Sequence, residues 1–328
     1  MSIRDSASSS FALAGVALAG LSAYAWYAAR RYEDLDIKSA GAPGVFLEAD
    51  GVRIHYVEAG RGEPVLLIHG LNDSTFSFRY IIPELAQQYR VVALDLKGFG
   101  YSERPAGGDY SLTAQATLVG QVMRLLGMEQ AAVVGHSMGG AVAMRLALRE
   151  PQLVSQLVLV NSATDRQMRR GARLGPYLRP LLPLAALVYN RRRVRRFVRR
   201  SMLHDPAHLT PEMLEGYLRL SRMKGHLRAS GALLAHRGRD EPLTLERIGQ
   251  ETLILWGEHD RLLPLSQGEE LAGRIPNATL VLVPSSAHMP LEEQPEFCNR
   301  ALLEFLRSPQ PATVPVAAEP TSPLETPS

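Results

Sequence analysis

Gly135-His136-Ser137-Met138-Gly139, followed by Gly140, is the segment of this sequence best suited to carry chemistry. A short apolar run, Ala131–Val134, precedes it, and a stretch with helical periodicity, Gly140–Arg149, follows. A serine between a strand and a helix is thrown onto a tight turn with its hydroxyl exposed. Only residues without a bulky side chain fit two positions to either side, where strand and helix nearly touch. The helix N-terminus adds partial positive charge beside the reacting centre. Ser137 is therefore the candidate nucleophile, with Gly135 and Gly139 as the glycines of its turn. A plain glycine-rich turn is the rival reading, and it leaves the parts found downstream unexplained.

A serine hydroxyl is a poor nucleophile near neutral pH and needs a general base within hydrogen-bond reach. Of the nine histidines, His288 follows the last apolar run on a loop from which it can lean over Ser137. His136 lies inside the turn and is expected to point away and pack. His69 ends the run Leu66-Leu67-Ile68 and is expected to shape the loop that follows. His204, His208, His226 and His236 read as surface or packing residues. The base needs a carboxylate to fix its tautomer and stabilise its charged form. Leu255-Trp256-Gly257-Glu258-His259-Asp260 offers two, with Asp260 preferred and Glu258 second, while Asp95 is expected to organise its own turn. The order Ser137…Asp260…His288 has gaps of 123 and 28 residues. Negative charge developing on a tetrahedral intermediate needs aligned donors, expected from the backbone N–H groups of Met138 and Leu71.

These groups need a scaffold that gathers strand ends. Val45–Glu48 and Val52–Val57 read as a hairpin around Asp50-Gly51. Val65–Ile68, Val91–Leu94, Ala131–Val134, Leu157–Val160, Thr252–Leu255 and Thr279–Val283 are short runs rich in Val, Ile and Leu, the pattern of buried parallel strands. Helical stretches such as Thr113–Leu126 alternate with them, which implies an α/β fold with a mostly parallel, doubly wound sheet. Reactive groups then collect at the carboxyl ends of strands. The rhythm breaks over the 86 residues from Ala163 to Ile248, which reads as an inserted helical cap.

The pieces Leu67-Ile68-His69-Gly70, Asp95-Leu96-Lys97-Gly98-Phe99-Gly100-Tyr101-Ser102, Gly135–Gly140, Gly257-Glu258-His259-Asp260 and Ala287-His288 together resemble the α/β-hydrolase superfamily, over about Val45–Arg307. The resemblance implies that fold, a Ser-acid-His triad and no metal or organic cofactor. Epoxide hydrolases and haloalkane dehalogenases look similar but place Asp where this chain has Ser137, and a carboxylate there forms an alkyl-enzyme ester. With its N-terminal apolar segment and GHSMGG turn, the chain most resembles membrane-associated monoacylglycerol lipases and carboxylesterases. The expected activity is that of a serine hydrolase on carboxylic esters, in particular lipid-derived acyl esters. Alternatives are a small-molecule carbon–carbon bond hydrolase or lactonase, and, from another class, a non-catalytic binding protein on the same fold.

The remaining segments concern location. The 328 residues carry 36 Lys+Arg and 33 Asp+Glu, and one cysteine, Cys298, which excludes an intramolecular disulfide framework and a cysteine-based zinc cluster. Phe11–Ala29 is nineteen residues without a formal charge. As a helix it would be about 28 Å long, enough to cross a bilayer's hydrocarbon core. It reads as a single-pass anchor, or as a signal peptide cleaved near Ala23-Tyr24-Ala25. Arg30 and Arg31 lean the main domain toward the cytoplasmic side, with an extracytoplasmic placement as the alternative. The expected division is an N-terminal segment 1–10, the anchor 11–29, a linker 30–44, hydrolase core 45–162 and 249–307, the cap 163–248, and a disordered proline-rich tail 308–328. The cap carries a net charge of +12 against −9 for the remainder. Arg191, Arg192, Arg193, Arg195, Arg196, Arg199 and Arg200 form its densest part, beside the apolar stretch Tyr177–Tyr189. Such a pairing suits contact with an anionic membrane surface. A solvated cap face is the plainer reading, and nucleic acid is not expected as a partner.

Overall fold

The structure is a computed structural model that describes residues 20, 23–24, 27–165, 191–236 and 240–307. Most of the expected anchor, the apolar stretch Tyr177–Tyr189 and the tail lie outside the described residues. Among those described, no helix is long and apolar enough to cross a membrane.

Eight strands form one sheet: β1 Val45–Ala49, β2 Val52–Ala59, β3 Pro64–Ile68, β4 Arg90–Leu94, β5 Ala131–His136, β6 Val154–Val160, β7 Glu251–Gly257 and β8 Ala278–Val283. Their spatial order is β1-β2-β4-β3-β5-β6-β7-β8. The pairs β1–β2 and β2–β4 are antiparallel and all others parallel. Asp50 and Gly51 close the β1–β2 hairpin with φ of 51° and 66°. Two left-handed residues in a row make the two-residue turn whose twist matches a hairpin, and Asp-Gly tolerates them best.

Successive strand residues point to opposite faces, and the core divides accordingly. Leu66, Ile68, Val92 and Leu94 pack on one face with α1 (Leu112–Leu125) and α2 (Met138–Arg149). Val65, Leu67, Val91 and Ala93 pack on the other with the C-terminal helix Pro295–Leu306. Burial on both faces is why these strands are continuous apolar runs rather than alternating ones.

Between β6 and β7 the longer described elements are helical: α3 Arg191–Phe197, running into a π turn Val198–Met202, then α4 Pro211–Ser221 and α5 His226–His236. Beyond β7 come α6 Leu265–Arg274 and α7 Pro295–Leu306. Where the insertion leaves and rejoins the core, Arg145 of α2 holds Asp165 at 2.7 Å and Asp240 at 3.8 Å.

The segment read as a linker, 30–44, is held against the insertion. Glu33 accepts the backbone N–H groups of Gly225 at 2.9 Å and Leu227 at 2.6 Å, which satisfies donors at the start of α5. Arg222 forks onto both oxygens of Asp34 at 2.8 and 2.6 Å, and Leu35 exchanges backbone hydrogen bonds with Arg222 and Lys224. Ala40, Leu220, Met223 and Tyr101 close a small apolar cluster beneath this strap.

Candidate active site

The chain leaves β3 for β4 on one side of the sheet and later crosses to β5 on the other. Strand order reverses there, so the loops after β3 and β5 stand apart and leave a crevice. Ser137 sits at the carboxyl end of β5 with φ 52° and ψ −116°, a conformation that costs energy for a residue bearing a Cβ. Its backbone is fixed from both sides: its N–H donates to Val160 O, and its carbonyl accepts from Gly140 and Ala163 N–H. The turn is as tight as its glycines require. A Cβ on Gly135 would sit 2.5 Å from the Gly139 carbonyl oxygen, and one on Gly139 would sit 2.6 Å from the His69 carbonyl.

The structure brings Ser137, His288 and Asp260 together from three strand ends. Ser137 Oγ lies 3.1 Å from His288 Nε2, and His288 Nδ1 lies 2.7 Å from Asp260 Oδ2. The Nδ1 proton therefore goes to the carboxylate, which leaves Nε2 as the acceptor facing the serine hydroxyl. The Asp260 side chain is fully buried. Burial alone would raise its pKa. Hydrogen bonds from His288, Leu263 N–H and Asn161 outweigh burial and hold the carboxyl below its ordinary value. Glu258, the second candidate, lies 3.7 Å from His259 and is not bonded to His288.

Leu71 and Met138 both line the pocket over Ser137, and among the described residues neither N–H is used in a loop or cap hydrogen bond. Gly70 packs so closely on the turn that a Cβ there would lie 3.2 Å from Ser137 Cβ. The loop carrying Leu71 is set by His69. Its Nδ1–H donates to Gly70 O at 2.7 Å, and its Nε2 accepts from Leu96 N–H at 3.0 Å. Burial lowers the His69 pKa, in keeping with this neutral tautomer. Asp95 anchors the neighbouring turn by accepting from Thr75 N–H and Tyr101 N–H, each at 2.7 Å, and from His55 Nδ1 at 2.8 Å.

The roles of three residues at the site were not read from the sequence, which assigned His136 packing alone. Asn161, at the end of β6, donates from Nδ2 to Asp260 Oδ2 at 2.6 Å and accepts Gly257 N–H at 3.1 Å. His136 donates from Nε2 to the His288 carbonyl at 2.8 Å, so it holds the base's backbone as well as packing. Burial pushes its pKa down to about 3, which keeps it neutral. Glu293 accepts Ala287 N–H at 2.8 Å with one oxygen and His204 N–H at 2.7 Å with the other, joining the His288 loop to the insertion. The position of Asn161, directly after a run that reads as a parallel strand, was the one available signal.

The pocket over Ser137 encloses about 350 Å³. Met138, Val194, Phe197, Val198, Met202, Leu262 and Leu263 give it an apolar wall, while Asp73 and Tyr217 bring a polar end. There Tyr217 Oη donates to Glu292 Oε1 at 2.6 Å, and Arg79 pairs with the other Glu292 oxygen at 2.5 Å. Burial pushes the Asp73 carboxyl well above the usual carboxylate range. Among the described residues no group of His, Cys, Asp or Glu is placed to hold a metal ion. The arginines singled out in the sequence lie on α3 and its π turn. Arg191 pairs with Glu215, and Arg192, Arg195, Arg196, Arg199 and Arg200 line a surface groove.

Comparison with known proteins agrees with this fold. A family model described as alpha/beta hydrolase fold matches residues 63–295. An uncharacterized hydrolase, YugF of Bacillus subtilis (strain 168), is 32% identical over 266 residues, covering 79% of this chain and 96% of that protein. Among solved structures, a meta-cleavage product hydrolase from Pseudomonas fluorescens IP01 superposes with a TM-score of 0.69 at 26% identity, over 80% of this chain and 97% of that one. A membrane phospholipase A, described as a bacterial virulence factor, gives a TM-score of 0.67 at 26% identity, over 90% and 94%. The family match spans both sides of the insertion and all three strand ends that supply Ser137, Asp260 and His288, and the chain belongs to the alpha/beta hydrolase fold family.

Proposed function

We propose that this hydrolase-family chain is a serine hydrolase that cleaves carboxylic esters with an apolar acyl chain. The observation that carries the reading is the continuous hydrogen-bonded line Ser137–His288–Asp260 at the floor of a largely apolar pocket. Ser137 Oγ attacks the ester carbonyl while His288 Nε2 takes its proton. Asp260, held ionised by its donors, stabilises the imidazolium that forms. The N–H groups of Leu71 and Met138 donate hydrogen bonds to the oxyanion. Collapse of the intermediate expels the alcohol, protonated by His288, and leaves an acyl-Ser137 ester. Water then gives a proton to His288 and attacks that ester, releasing the acid and restoring the serine.

A serine at this position forms an acyl ester and lacks the carboxylate needed to open an epoxide or displace a halide. The apolar wall suits an acyl chain, and the likeness to a phospholipase A favours a lipid-derived one. Residues 11–29 would then hold the enzyme at the bilayer that supplies its substrate.

A fluorophosphonate probe tests the nucleophile. The full chain should be labelled, and Ser137→Ala should abolish labelling and at least a thousand-fold of ester turnover, roughly the share carried by a triad nucleophile. No labelling of the folded protein would leave a non-catalytic binding protein. A panel of acyl esters set against a ring-cleavage product tests the substrate class. Preference for the latter would move the assignment to carbon–carbon bond hydrolysis.

A further inference from the structure

The wall of the Ser137 pocket and a strongly basic surface are two faces of one helical segment. Val194, Val198 and Met202, on α3 and its π turn, line the pocket. Arg192, Arg195, Arg196, Arg199 and Arg200 recur at helical spacing on the opposite face and, with Pro206, line an external groove of about 560 Å³. All five are exposed, and none has an ion-pair partner among the described residues, whereas Arg191 is paired with Glu215.

The mouth of the pocket adds a second, independent feature. Phe197 is 52% exposed, Leu71 38% and Leu262 37%, and all three also line the pocket. Three large apolar side chains thus stand open to solvent around the entrance, beside a row of five guanidinium groups. An apolar rim gains by entering the boundary between headgroups and acyl chains, and guanidinium groups gain beside anionic headgroups.

We infer that this face is the docking surface for an anionic bilayer, seated so that the pocket mouth opens onto the lipid. An acyl ester then passes from the bilayer to Ser137 along the α3 wall without crossing water. The substrate part of this inference rests on the ester-hydrolase reading, and the docking part does not. A nucleic acid would engage the arginines but would leave the apolar rim in water. The net charge of −9 on the rest of the chain turns the +12 insertion toward an anionic surface. The strap at 33–36 also ties the chain that follows residues 11–29 to α4 and α5 of this same insertion.

The test uses the full chain reconstituted in vesicles of phosphatidylcholine alone or with phosphatidylglycerol, as wild type and as Arg195→Glu/Arg196→Glu/Arg199→Glu. Amide hydrogen exchange over residues 191–203 reads docking directly. Turnover of a bilayer-embedded ester and of a water-soluble short ester reads its consequence. In the wild type, phosphatidylglycerol should protect residues 191–203 and raise turnover of the embedded ester at least about a hundred-fold, a gain that three of the five arginines suffice to supply at about 1 kcal/mol each. The triple variant should lose both gains while keeping turnover of the soluble ester, which also shows that it is folded. Equal responses of wild type and variant, or no response of either, overturn the proposal. Protection by a short DNA duplex but not by anionic vesicles overturns it in favour of a nucleic-acid surface. If every ester is untouched but protection still follows phosphatidylglycerol, docking stands and the ester-hydrolase reading fails.

Discussion

Asn161 shows how much of the site depends on residues that do no chemistry themselves. It has φ 40° just past the end of β6, and its amide donates at 2.6 Å to Asp260 Oδ2, the same oxygen that faces His288 Nδ1. Asn161→Asp would place a second carboxylate there. Like charges raise one pKa of the pair, so Asp260 would support the imidazolium less well. We expect ester turnover to fall on the order of a hundred-fold, with the acid limb of the kcat profile moved to higher pH. Asn161→Ala, which removes a donor without adding charge, should cost roughly tenfold and move that limb less. Profiles of kcat against pH for the three proteins check this, and an unmoved acid limb in Asn161→Asp would count against it. Ser137, His288 and Asp260 could be read from the sequence because residue type, local turn and chain order each constrain them. Asn161, His136 and Glu293 could not. Their partners are a carboxylate 99 residues away, a carbonyl 152 residues away and amides 6 and 89 residues away, and an Asn, His or Glu has many other uses.

At the level of elements, the sheet was legible because strands buried on both faces cannot afford polar residues, and their runs therefore stand out. The strap at 33–36 was not, because it has no period and its function lies in partners up to 194 residues distant. A short charged segment of this kind looks the same whether it is solvated or clamped. Glu33 is the informative member, since its carboxylate accepts Gly225 and Leu227 N–H at the start of α5, as a capping side chain does. Glu33→Ala should cost about 1 kcal/mol, and Glu33→Gln less, since an amide oxygen still accepts. For a domain of this size that is a fall in Tm of roughly 3 °C. Limited proteolysis should then open the chain first between α4 and α5. Cleavage that begins elsewhere, with an unchanged Tm, would show that the strap is incidental to the fold.

Across the whole molecule, pH reads the buried groups through their opposing signs. His136 and His226 are both held near a pKa of about 3, in each case chiefly by burial. Between about 3 and the unfolded value near 6.5, only the unfolded chain binds their protons, so each histidine makes the fold lose stability as pH falls through that window. Asp73 and Glu293 act in the other direction, because burial raises their pKa and the folded state takes up a proton first on acidification. Asp260, depressed below its ordinary value, loses its contribution only below about pH 4. The slope for the intact protein is thus a sum of unlike terms, and one substitution isolates a member of it. His226 is not among the residues that line the Ser137 pocket, and His226→Gln removes its titration. From pH 7 to about pH 5 the wild type should lose about 2 kcal/mol more than this variant, since an unfolded histidine gains most of a proton over that range. Urea midpoints at a series of pH values supply the comparison. Parallel curves for the two proteins would mean that His226 is protonated in the folded state, and that the Arg104 charge beside it is balanced by something other than a neutral ring.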